Sequence, residues 1–221
     1  MILLVLVAFF SCADVILDTP KFSYLIDAQR ESGAQAFAQS CYSCHSMRYM
    51  RTDPMSLKAG INPDTAPIWD KDSWNGHPPP DLSLITAAKG IDYVYSYLKS
   101  YYKDDAHPSG YENLVMPGTQ MPNPFALMQG DQVLTKDTEA TRLFQALRLE
   151  SRGNMSPQAF DDYVTAIVAY LEYSSDPHQD YRKQIGIYVL GFLVVMTLIM
   201  IALDLAYWQK IHDEHDSGES K

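Results

Sequence analysis

Cys41-Tyr42-Ser43-Cys44-His45 places two thiols three residues apart and an imidazole directly after the second. Three chemistries use such a pattern: half of a structural zinc site, a redox dithiol, or the covalent attachment of a haem. Zinc needs about four ligands, and a structural site pairs two cysteines with a second Cys or His pair. The remaining cysteine is Cys12, and His77, His107 and His178 show no paired spacing. A thioredoxin-like dithiol belongs after a strand, at the start of a helix in a βαβ unit. Here the cysteines follow a stretch rich in helix formers, Ala28 to Ser40. Haem attachment fits better. Cysteines three apart on a helical turn can reach the two vinyl-derived carbons of one macrocycle, and a histidine next in line faces the iron. The pattern therefore predicts one covalent haem c, held by Cys41 and Cys44, with His45 as an iron ligand.

A haem that only shuttles electrons is usually six-coordinate, and a methionine opposite histidine raises its potential. Beyond the first apolar run the chain offers Met47, Met50, Met55, Met116, Met121, Met128 and Met155 in the stretch before the last helix. Met47 and Met50 follow His45 too closely to reach the opposite face. Met155 sits just before a helix cap. Met116 and Met121 are each followed by proline, inside a loop long enough to cross a haem. A proline after the ligand stiffens that loop and lowers the entropy lost in holding sulfur on iron. Spacing alone leaves both methionines open.

The elements that must position these residues read as mainly α. Gly33, Ala36 and Phe37 share helical spacing just before Cys41. Thr52 to Pro80 carries scattered Pro, Gly and Asp and reads as loop with short helical turns, ending in the stiff His77-Pro78-Pro79-Pro80. A helix is expected from Asp81 to Gly90 and another from Ile91 to Lys103, with Tyr93, Val94, Tyr97, Leu98 and Tyr101 on one side. A loop from His107 to Gly118 leads into Met121-Pro122-Asn123-Pro124. Ser156 as cap and Pro157 at the first turn open a last soluble helix that carries Phe160, Val164, Ile167 and Leu171.

Ile185 to Leu203 is nineteen residues without a charge, about the length that crosses a bilayer core of ~30 Å. Tyr207, Trp208 and Lys210 follow it as interfacial anchors. A second apolar run, Met1 to Phe10, is followed by Ser11-Cys12-Ala13 and reads as an export signal cleaved after Ala13; Cys12 as a lipid-bearing cysteine is the alternative. The expected organisation is a signal over 1–13, an exported haem domain over 14–180, an anchor over 181–205 and a cytoplasmic tail over 206–221. Arg182 and Lys183 against Lys210 do not settle the orientation. Covalent haem attachment outside the cytoplasm does, and it puts the head on the periplasmic side. The net charge is −10, nearly all of it ahead of the anchor. Such a surface disfavours nucleic acid and favours a basic partner.

With these residues placed, the chain resembles the cytochrome c1 family, the haem subunit of ubiquinol–cytochrome c reductases, in its bacterial form. The resemblance rests on Cys41 to Tyr49, Pro79-Pro80-Asp81-Leu82-Ser83-Leu84, Asp92-Tyr93-Val94-Tyr95-Ser96, Met121-Pro122 with Leu127-Met-Gln-Gly130, and Tyr181 to Gly186 before a single anchor. It implies a class I cytochrome c-type haem domain whose first helix, near Gly33 and Phe37, crosses its last, near Ile167 and Leu171. It singles out Met121 as the second iron ligand and leaves Met116 as the alternative. It also implies that Pro80 skirts the haem edge and that Tyr93 meets a haem propionate. The family's propionate arginine falls on Lys89, which keeps the charge without the bidentate fork.

The function implied is electron transfer, with no catalysis by the chain alone. Electrons pass from a Rieske iron–sulfur protein to a soluble or membrane-bound cytochrome c, in a bacterial inner membrane and beside a cytochrome b subunit. An oxidase-associated anchored cytochrome would lack the Pro-Pro-Asp-Leu and Asp-Tyr-Val segments. A haem-based sensor would need an open sixth position.

Overall fold

The computed structural model describes residues 17–23, 26–135 and 143–218; the expected signal over 1–13, with Cys12, lies outside them. The helices are α1 (Ile26–Ser40), α2 (Pro54–Lys58), α3 (Ser73–Gly76), α4 (Ile85–Lys89), α5 (Ile91–Lys99), α6 (Ala126–Gln129), α7 (Pro157–Ser175) and α8 (Gln179–Gly218). Two short antiparallel pairs join them, β1 (Tyr101–Lys103) with β2 (Tyr111–Asn113) and β3 (Gln132–Leu134) with β4 (Leu147–Leu149). The chain is mainly α, as its composition and spacing predict. It divides into two compact units, one up to Asp176 and one from Pro177 onward.

In the first unit α7 is the central element, packed by α1, α4, α5 and α6. It starts as the sequence requires: Ser156 Oγ accepts from Ala159 N–H at 3.2 Å and Pro157 occupies the first turn. From Val164 to Leu171 every residue is buried, because neighbours cover more than one side of the helix. The crossing with α1 is close at Gly33. A β-carbon there would lie 1.9 Å from the Ala166 carbonyl oxygen and 3.0 Å from Tyr170 Cβ. Next to it Phe37, fully buried, meets Tyr170 with ring centroids 5.6 Å apart. The expected crossing of first and last soluble helices is therefore present.

Two expected boundaries move. The helix expected over Ile91–Lys103 stops at Lys99, and Tyr101–Lys103 turns into β1. The cause lies elsewhere in the chain: Asn113 Nδ2 donates to the Tyr97 carbonyl at 2.8 Å, taking an acceptor that the next helical N–H would use. The helix expected from Asp81 begins only at Ile85. Asp81 instead folds its carboxylate onto Ser83 N–H at 3.1 Å, a local turn that competes with the helix. The loop expected over His107–Gly118 contains β2.

The second unit holds α8, whose apolar side chains from Ile185 to Leu205 are mostly exposed. Among the described residues it is the one helix long and apolar enough to cross a membrane.

Candidate functional site

The last turn of α1 runs straight into the cysteines. Cys41 N–H donates to Phe37 O at 2.8 Å, and Cys44 and His45 N–H both donate to Cys41 O, at 3.1 and 2.9 Å. Two thiols and an imidazole are thus gathered within one turn, and the thiols are not joined to each other. Burial pushes the Cys41 thiol up to about 12, with Cys44 adding to the shift. A thiol so reluctant to ionise is a poor redox nucleophile.

His45 is buried at 7 % exposure. Its Nδ1 lies 2.8 Å from the Pro80 carbonyl oxygen. A carbonyl can only accept, so Nδ1 carries the proton and Nε2 keeps its lone pair. Burial lowers the imidazole pKa, against the opposing pull of the Pro80 bond and the Asp81 charge, which favours this neutral form. The segment supplying Pro80 is laced to the chain after His45. Asp81 Oδ2 accepts from Ser46 Oγ and from Arg48 N–H, both at 2.7 Å, while Leu82 N–H donates to Ser46 O at 3.0 Å and Tyr49 N–H to Ser83 Oγ at 3.2 Å. Burial alone would raise the Asp81 carboxyl, but the hydrogen bonds it accepts from Arg48, Ser46 and Ser83 lower it. Pro80, expected at a haem edge, is thus an acceptor that fixes the histidine ring.

The other side of the motif is held by the loop that follows it, between α2 and α3. Trp69 Nε1 donates to Cys44 O at 2.8 Å, and the Tyr42 hydroxyl donates to Asn62 O. Trp69 packs edge-on against Trp74, which adopts a left-handed φ of 55°. Trp69 carries no signal in the sequence, since indole donors in a polar loop have no characteristic spacing.

Of the two candidate methionines, Met116 is 50 % exposed, whereas Met121 is half-buried and packs on the core cluster that includes Cys41. Met47 and Met50 are fully buried core residues. The Met116–Met121 loop hangs from Asn113, whose Oδ1 accepts from Ser100 Oγ at 3.0 Å, Val115 N–H at 2.9 Å and Met116 N–H at 3.1 Å. Two residues past Met121, Asn123 Oδ1 accepts from Phe125 N–H at 2.9 Å, while its buried Nδ2 has no partner in the protein. Lys89 and Tyr93 come together, with the Lys89 Nζ 5.7 Å from the centre of the Tyr93 ring.

These residues fit a haem c. Two unjoined thiols sit one turn apart, an imidazole presents a lone pair, and a half-buried thioether is followed by an orphaned amide donor. Among the described residues, no three His, Cys, Asp or Glu side chains gather closely enough to hold a bare metal ion.

Comparison with known proteins agrees. The model of the family described as "Cytochrome C1 family" matches residues 60–148 and 151–211, which lie wholly after the Cys41–His45 motif. Family match and motif are therefore separate observations. A protein named cytochrome c1 from Allochromatium vinosum is 33% identical over 219 residues, covering 89% of this chain and 90% of that one. The ammonia monooxygenase gamma subunit of Nitrosomonas europaea is 32% identical, covering 93% of each. A chain of a hyperthermophilic respiratory Complex III is 22% identical with a TM-score of 0.44, covering 88% of this chain and 82% of that one. On the family match and the extent of the Allochromatium relative, this chain belongs to the cytochrome c1 family, electron-transfer proteins associated with bc1 complexes, and the one long apolar helix among its described residues supports a single-pass membrane protein.

Proposed function

We propose that the chain binds one haem c through Cys41 and Cys44, with His45 and Met121 as axial ligands, and relays electrons from a Rieske iron–sulfur protein to a cytochrome c. The observation that carries this reading is the 2.8 Å bond from His45 Nδ1 to Pro80 O, which leaves Nε2 as a lone-pair donor one turn from two unjoined thiols. When bound, the haem supplies a one-electron ferric/ferrous couple. The protein's part is to hold the ligands still. Pro80 and the Asp81 hydrogen bonds fix the imidazole, and Met121 presents its sulfur from a loop pinned at Asn113. Lys89 and Tyr93, which lie together, are the proposed propionate contacts, the lysine as a point charge.

The proposed organisation is a cleaved signal over 1–13, a periplasmic haem domain over 14–180, an anchor over 181–205 lying beside cytochrome b in the bacterial inner membrane, and a cytoplasmic tail. The chain acts as a subunit of a quinol–cytochrome c reductase and catalyses nothing alone.

Two measurements test this. In reduced-minus-oxidised spectra, Met121→Leu converts a low-spin six-coordinate haem to a form that binds carbon monoxide when reduced, and its potential falls; Met116→Leu changes neither. A low-spin spectrum and unaltered potential in the Met121 variant would sink the ligand assignment. The acidic surface also predicts that electron transfer to a basic soluble cytochrome c slows roughly tenfold or more from low to physiological ionic strength. A rate indifferent to salt removes the basic acceptor from the proposal.

A further inference from the structure

Four side chains spaced four residues apart, Lys89, Tyr93, Tyr97 and Tyr101, form one continuous row along α4, α5 and the start of β1. Lys89 lies over the Tyr93 ring at 5.7 Å, Tyr93 stacks parallel to Tyr97 at 6.3 Å, and Tyr97 meets Tyr101 edge-on at 5.6 Å. Packing explains the rings but not the hydroxyls. The Tyr97 oxygen lies 2.8 Å from Thr119 Oγ1 and 2.8 Å from the Tyr101 oxygen, and Tyr101 OH reaches Met121 O at 3.2 Å. Tyr101 is 1 % exposed and Thr119 3 %. Water is therefore kept from both ends of this set.

Three hydroxyls carry three protons, and the Met121 carbonyl can only accept. Tyr101 has a single proton to share between Tyr97 and Met121. The Tyr101 hydroxyl donates toward both, at 2.8 and 3.2 Å, and the Tyr97 oxygen that receives it is held in turn at 2.8 Å by Thr119 Oγ1. Hydroxyls linked in this way fix one another's positions beside the Met121 carbonyl.

We propose that Tyr101, backed by Tyr97 and Thr119, is the positioning residue for the sixth ligand: it holds the Met121 backbone and so sets the reach of the sulfur. This rests on Met121 being the ligand. The same row ends in Lys89 and Tyr93, so the proposed propionate contacts and the methionine are aligned by one tyrosine stack.

The test uses the haem-loaded membrane protein with Tyr101→Phe, Tyr97→Phe and Thr119→Val. Readouts are the reduction potential, the sulfur-to-iron charge-transfer band of the oxidised form, and carbon monoxide affinity of the reduced form. Tyr101→Phe removes both hydrogen bonds of the Tyr101 hydroxyl; loss of the one to Met121 O is expected to lower the potential, weaken the band and raise carbon monoxide affinity about fivefold. Tyr97→Phe and Thr119→Val produce smaller changes in the same direction, and they decide the matter if Tyr101→Phe fails to fold. Variants that melt at lower temperature yet keep the wild-type band, potential and carbon monoxide affinity overturn the proposal, because a purely structural tyrosine behaves that way. If Met121→Leu leaves coordination unchanged, the parent assignment fails. If Met121→Leu loses the sulfur ligand while all three variants behave as wild type, only this inference fails.

Discussion

Gly33→Ala destabilises the unit that ends at Asp176 by about 2 kcal/mol and lowers its thermal midpoint by roughly 4–8 °C. Two effects of opposite sign compete. Alanine is the better helix former, worth about 1 kcal/mol over glycine inside a helix. Against that, the added carbon would fall 1.9 Å from the Ala166 carbonyl oxygen, which is backbone and has no rotamer with which to retreat. Overpacking of this kind costs about 3 kcal/mol, so the clash wins. The change reaches the site because α1 runs directly into Cys41. Gly186→Ala and Gly191→Ala in α8 make the control: a β-carbon at either meets nothing within 4 Å, so neither lowers the midpoint. A Gly33 variant that melts with the wild type would mean that α1 and α7 do not cross this closely.

The second large effect is expected at Asn113, which is fully buried. Asn113→Ala removes the acceptor for Ser100 Oγ, Val115 N–H and Met116 N–H, and the donor to Tyr97 O. Buried groups left without partners cost about 1–3 kcal/mol each; relaxation and entering water offset part of the sum, leaving about 3 kcal/mol. The loss falls on the loop that carries both methionines. Under the proposed ligation by Met121, the expected result is a two-step melt, in which the methionine-ligand band fades several degrees before helical ellipticity is lost. If band and ellipticity disappear together at the wild-type temperature, Asn113 does not anchor the loop.

These two residues also show what could be read from the sequence. Gly33 and Phe37 sit at helical spacing, and Ser156-Pro157 announces α7 with its cap, so both helices and their crossing follow from local signals. The long uncharged run announces α8 just as directly. Asn113 announces nothing. It ends α5 from fourteen residues beyond Lys99, through a side-chain bond that no periodicity encodes, and so β1 and β2 were missed.

The site divides in the same way. Cys41, Cys44 and His45 are legible because covalent spacing is a sequence property. The Pro80 carbonyl is backbone, common to every residue type, and its aim at His45 emerges only from the turn that Asp81 ties to Ser46 and Arg48. Spacing could not separate Met116 from Met121; in the fold their burial differs, Met116 being half exposed and Met121 packed on the core.

Under the proposed haem attachment, the burial of Cys41 sets an order on biogenesis. With the domain closed, Cys41 is 6 % exposed, and its thiol is pushed up to about 12. Neither an attachment enzyme nor a vinyl group can readily meet it there, and very little thiolate exists to react. Under the proposed assignment the thioether bonds form on an open chain, before α1 and α7 meet at Gly33. The cofactor is then a template around which the helices close, and maturation is a one-way step: once folding has covered Cys41, a chain that missed its haem has no route back except to unfold.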